Sequence, residues 1–65
     1  MTYEQAITAV KGGTRVKRSG WSGHYLERKV LDNSEIEIDT VFVRTTKAPY
    51  TATEDDMTTD DWTTA

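Results

Sequence analysis

Residues Glu35-Ile36-Glu37-Ile38-Asp39 alternate acid and isoleucine without interruption, and a period of two belongs to a strand, whose successive side chains point to opposite faces. Such a strand buries one face and needs a layer to cover it. The N-terminus offers that layer: Tyr3, Ala6, Ile7 and Val10 fall at i, i+3, i+4 and i+7 and make one apolar stripe on a helix. Thr2-Tyr3-Glu4-Gln5 reads as its capping box, and Gly12-Gly13 supplies the left-handed residue that ends it after about ten residues. The fold class is α+β, an N-terminal helix packed on a small antiparallel sheet with a short C-terminal helical turn.

The other elements follow from local chemistry. Thr14 to Arg18 predicts a short strand in which Val16 is flanked by basic residues, and the turn Gly20-Trp21-Ser22-Gly23 follows it. His24 to Leu31 predicts a strand whose apolar positions, Tyr25, Leu26, Val30 and Leu31, do not alternate cleanly, a pattern that allows a bulge. Asp32-Asn33-Ser34 is a turn. The strand over Glu35 to Asp39 places its isoleucines on the buried face and its acids on the solvent face. It then runs on, or pairs after a kink at Asp39-Thr40, into Val41 to Thr45. Pro49 lacks an amide donor and biases Ala48 away from helix, so Lys47-Ala48-Pro49 is expected to be a loop that ends the sheet. Thr53-Glu54-Asp55-Asp56 has a threonine cap and carboxylates at the positive end of a helix dipole. That helix is short, because Thr58 and Thr59 are poor helix residues, and after Trp62 the chain frays or adds an edge strand.

A single domain of 65 residues buries only about 60% of the surface its unfolded chain exposes. Without cysteine no disulfide or thiolate site can reinforce it, and the single histidine makes no metal site; neither metal nor cofactor is expected. Self-association, which stabilises by mass action, is the remaining route, and a homo-oligomer, dimer or tetramer, is expected. The longest apolar run is Val41 to Val43, so no signal peptide or membrane span is read and a cytoplasmic location is expected. Charge is divided unevenly: residues 1 to 31 carry six basic and two acidic side chains (+4), and residues 32 to 65 carry two basic and nine acidic (−7). The acidic total excludes general nucleic-acid binding, while the cluster Arg15, Lys17, Arg18, Arg28 and Lys29 suits one or two phosphates.

Trp21, between Gly20 and Gly23 at the end of that basic run, has two readings. As a platform it stacks a nucleobase, worth roughly 1–3 kcal/mol, while the glycines admit a pyrophosphate and Arg18 or Arg28 forks onto its oxygens. As an anchor it fills a core or an interface. Trp62, after a short helix, reads as a core cap. Asp55, Asp56 and Asp60 read as a solvated face and Asp61 as a contact candidate; Tyr3 and Tyr50 suit a dimer seam or a stacking wall opposite Trp21. His24 ranks low as a ligand contact. Ser19, Ser22 and His24 lack an orienting third group, and a chain this small cannot bury paired carboxylates and separate their acidities, so an enzyme is not expected.

The opening MTYEQAITAVKGGTRVKRSGWSG and the closing YTATEDDMTTDDW resemble the Thoeris anti-defence two family of small phage proteins. In that family a Met-Thr-aromatic start, an Ala-containing helix, Lys-x-Gly and a basic strand lead to Gly-Trp-x-Gly, and the chain closes on Asp-Trp. The middle, residues 24 to 47, is shorter than in longer members, and Tyr50 stands where the family has tryptophan. The resemblance implies a multimeric sponge that captures a cyclised ADP-ribose or cyclic oligonucleotide immune messenger without cleaving it, in pockets between protomers. It carries over to Trp21 of the turn, Arg18 before it and the Asp61-Trp62 pair. The ligand-binding set expected is therefore Arg18, Gly20, Trp21, Gly23, Arg28, Tyr50 and Asp61. An alternative from another class is an inhibitor whose acidic C-terminal half contacts a host DNA-binding or nuclease protein directly.

Overall fold

The computed structural model describes residues 1–42 and 47–65. Its elements are α1 (Tyr3–Lys11), β1 (Val16–Arg18), β2 (His24–Val30), β3 (Ile36–Phe42), β4 (Ala48–Pro49), α2 (Glu54–Thr58) and β5 (Trp62–Thr64). Both helices begin with a capping box. Thr2 Oγ1 accepts from the Gln5 amide at 3.2 Å while Gln5 Oε1 accepts from the Thr2 amide at 2.9 Å, so two amides that α1 leaves unpaired are satisfied locally. At its other end only Gly13 is left-handed, at φ 103°; Gly12 keeps a helical conformation.

The strands form one antiparallel sheet in the order β4-β3-β2-β1-β5. Its spine is the β2–β3 hairpin, in register from His24 opposite Phe42 to Val30 opposite Ile36. A turn joins them in which Ser34 takes φ 68° and Asn33 Oδ1 accepts from the Glu35 amide at 3.1 Å. α1 lies on one face, where Ala6 and Val10 meet Val16, Leu26 and Trp62 in a fully buried cluster. Tyr3, Ile38, Trp21 and Tyr50 pack around it.

Several expectations are corrected. β2 carries no bulge: its register is continuous, and the uneven pattern arises because Tyr25 faces the open side of the sheet, with the Arg15 guanidinium 5.1 Å from its ring centre, and Val30 is exposed near the hairpin tip. Of the two alternatives at Asp39-Thr40, the strand runs on, as β3, through Phe42; its expected continuation through Val43, Arg44 and Thr45 lies outside the described residues. Ala48-Pro49 is a strand rather than a loop, pairing Thr40 with Ala48 and Asp39 with Pro49. An edge tolerates proline because its missing amide can face away from the ladder. The acid face of β3 is not simply solvated. Asp39, flanked by β2 and β4, is 3% exposed, while Ile36 on the opposite face near the hairpin tip is 45% exposed. Of the two alternatives for the chain after Trp62, the edge strand is the one that forms: β5, whose outer edge is covered by the Met1 nitrogen donating to the Trp62 carbonyl at 2.7 Å. A proline on one edge and this contact on the other limit open pairing.

Candidate functional site

Arg18 pairs with Trp62 across β1 and β5 on the same face as Val16 and α1, because strand side chains alternate. Its guanidinium is held by two carboxylates: Nε and Nη2 donate to Asp61 at 3.0 and 3.3 Å, and Nη1 donates to Asp56 at 3.2 Å. Two-pronged contacts of this kind are among the stronger charge-assisted bonds. Arg15 and Lys17, its neighbours in sequence, are not with it. Arg15 goes to Glu27 on the open face, and Lys17 Nζ reaches the Trp21 carbonyl at 3.4 Å.

Asp56 is the hub of this corner. Oδ2 accepts from the Tyr50 hydroxyl at 2.8 Å and the Thr53 amide at 3.2 Å, and the Asp56 carbonyl accepts from Trp62 Nε1 at 3.0 Å. Burial pushes its carboxyl upward, but the bonds from Tyr50, Thr53 and Arg18 outweigh that and hold it below the usual aspartate range. Burial, and then the neighbouring Asp56 carboxylate, raise the Tyr50 phenol well above its ordinary value. The Arg18 bond also holds Asp61 below its usual range. The sequence pattern suggested a solvated Asp56; the clue it offered was the capping box, which turns the third helical residue back toward its threonine.

Beside this hub the aromatic side chains form a series from core to surface. Trp62, 2% exposed, meets Trp21 edge-on at 5.2 Å and 75°. Trp21, half-buried, also meets Tyr50 at 6.4 Å and 66°. His24 then stacks on Trp21 at 4.5 Å and 26°, and Phe42, 41% exposed, stacks on His24 at 5.5 Å and 27°. His24 Nδ1 lies 3.2 Å from the Ser22 carbonyl. The two readings of Trp21 therefore coexist, since its edge joins the core and its plane belongs to a stack that opens to solvent. Each aromatic pair of this kind contributes about 0.5–1.5 kcal/mol beyond the area it buries.

Of the seven residues expected at the site, the structure brings together Arg18, Trp21, Tyr50 and Asp61. The turn that holds Trp21 is closed by its amide donating to the Arg18 carbonyl at 3.0 Å. Gly23 has φ 78°, a conformation only glycine adopts without strain, and the space around Gly20 is open. Arg28 lies elsewhere. It is four residues along β2 from His24, roughly 13 Å at strand spacing, and donates to the Lys11 carbonyl at the end of α1 at 3.3 Å. Phe42 and Asp56 were missed, because their roles depend on partners remote in sequence. Surface concavities of about 530 Å³ at Lys29–Asn33 and about 280 Å³ between α1 and α2 are lined by none of the seven. Among the described residues no group of three or more metal-ligating side chains occurs, and no helix is long and apolar enough to cross a membrane.

The acidic surplus of the C-terminal half does not form one outward surface: Asp56 and Asp61 face Arg18, and Asp39 is buried. That arrangement does not favour the reading of an acidic inhibitor.

The family model described as the Thoeris anti-defense 2-like domain matches residues 1–65. No curated protein matches the sequence.

Proposed function

The chain belongs to the Thoeris anti-defense 2-like family, which gives it an anti-defence role, and from that premise we propose that it sequesters a cyclised ADP-ribose or a cyclic oligonucleotide without cleaving it. The observation that carries this reading is the half-buried indole of Trp21, braced edge-on by Trp62 and Tyr50, with the Tyr50 hydroxyl and the Arg18 guanidinium both bound to Asp56. Bracing matters because a fixed ring loses little entropy when a base stacks on it. Base stacking on an aromatic is worth roughly 1–3 kcal/mol, more than the aromatic pair with which it would compete.

In this reading a phosphate approaches Arg18 from the side of Asp61, whose side chain is 37% exposed, and exchanges with that carboxylate, while buried Asp56 keeps the guanidinium oriented. Gly20 leaves room for the phosphate and Tyr50 walls the indole. Arg28 is too far along β2 to reach the same ligand from one protomer, so a role for it requires a second copy. Exposed Phe42, Val30, Ile36 and Met57 provide apolar surface for a homo-oligomer. Sub-micromolar capture needs about −8 kcal/mol, which an open stack and one arginine approach only if a neighbouring protomer encloses the ligand.

Calorimetry with cyclised ADP-ribose and with cyclic di- and trinucleotides tests the proposal: at least one binds with sub-micromolar affinity and is recovered intact. Failure of all of them to bind removes it. Native mass spectrometry measures assembly and stoichiometry together.

A further inference from the structure

We propose that His24 is a placeholder, its imidazole occupying the stacking position between Trp21 and Phe42 that a purine base takes on binding, so that Phe42 is the second wall of the base site. This inference rests on the nucleotide-binding reading above and specifies its base class.

The indole of Trp21 has its edge contacts with Trp62 and Tyr50, and its near-parallel partner is already His24. A base therefore gains a sandwiched place on Trp21 by moving His24. The geometry on the far side matches: Phe42 is also near-parallel to the imidazole, and its exposure leaves the outer end of the stack open to solvent. A flat five-membered nitrogen heterocycle between two larger aromatic rings is the arrangement a purine would repeat with a larger face. The hydrogen bond repeats as well. The Ser22 carbonyl, 3.2 Å from His24 Nδ1, accepts the ring N–H. It would accept equally from the exocyclic amino group of adenine or guanine. Among the described residues the imidazole makes this one polar contact; His24 begins β2 and follows Gly23 at φ 78°. Rotation about χ1 clears the slot without disturbing the β2–β3 register, and the larger base face then stacks more strongly than the ring it replaces.

Calorimetry with cyclised ADP-ribose on the wild type and on three variants tests this. His24→Ala removes the competitor, and binding tightens roughly twofold to tenfold, the equivalent of one aromatic pair. Trp21→Ala and Phe42→Ala each remove a wall and weaken binding by roughly fivefold or more. A cyclic dinucleotide of inosine, which lacks the exocyclic amine, binds more weakly than its adenosine counterpart. Proton NMR gives a readout that needs no variant: the His24 ring protons, shifted upfield by the two neighbouring rings, move downfield to ordinary positions as ligand is added. Weaker binding by His24→Ala, unchanged binding by Phe42→Ala, or stationary His24 resonances during saturation overturns the placeholder role while leaving capture itself intact. Absence of binding by the wild type to every nucleotide overturns both.

Discussion

The chain buries two aspartates, one on each face of its sheet, and it treats them differently. Asp56, on the α1 side, receives Arg18, the Tyr50 hydroxyl and the Thr53 amide. Asp39, on the open side, is at least as buried, yet among the described residues its Oδ1 has no hydrogen-bond partner. Desolvating a carboxylate costs several kcal/mol unless its lone pairs are satisfied. Asp56 meets that condition and ties the start of α2, strands β1 and β5 and the Tyr50 ring to one point. Asp39 meets it only in part, through the field of Lys47, whose ammonium it helps to hold in the charged form after the larger contribution of Glu27. The face carrying the proposed site thus pairs its buried carboxylate with several donors, whereas on the opposite face one buried carboxylate oxygen has no donor among the described residues.

The largest test of this contrast is Asp56→Ala. It leaves Arg18 without its buried partner and removes the side-chain half of the α2 capping box, and it lowers stability by about 3–5 kcal/mol, enough to unfold a domain of this size in thermal or urea titration. Acid reaches the same carboxylate reversibly. Asp56 and Asp61 are held below their ordinary 3.8 in the folded chain, so their contribution is fully present above that value and is lost as pH falls through the lower folded values. Arg18→Ala removes a cause of both shifts, and the acid-unfolding midpoint followed by circular dichroism moves to higher pH. Tyr50→Phe removes one bond to a charged acceptor and costs about 1.5–3 kcal/mol by urea titration. The smallest effect belongs to the other aspartate: Asp39→Asn removes an incompletely paired buried charge and raises stability by up to about 1 kcal/mol. Should Asp39→Asn destabilise as strongly as Asp56→Ala, the contrast between the two faces would be lost.

Local features were readable in the sequence. The stripe of Tyr3, Ala6, Ile7 and Val10 gives α1, the threonine caps give both helix starts, and the isoleucine alternation gives β3 and turns Ile38 toward the core. The burial of Asp39 was not readable, because it comes from the flanking strands and not from the acid-isoleucine pattern. β4 was hidden for a related reason. Pro49 argues against a strand until it is placed on an edge, and edge position is a property of the whole sheet. At the site, Trp21, Arg18, Tyr50 and Asp61 were identified from the turn, its charge and the closing segment. Arg18 was expected to face a phosphate directly, whereas the structure shows it held by carboxylates 38 and 43 positions away. Phe42 joined the aromatic series only through the β2–β3 register.

The sequence by itself determined the helices, the β2 and β3 strands, the glycine turn that presents Trp21 and the family to which the chain belongs, because periodicity, caps and turn chemistry act over a few residues. Only the tertiary structure decided that Arg18 meets Asp56 and Asp61, that Asp39 is buried, and that Trp21, His24 and Phe42 stack. Those outcomes depend on strand register and helix placement, which bring distant residues within bonding distance and leave no mark in the local pattern.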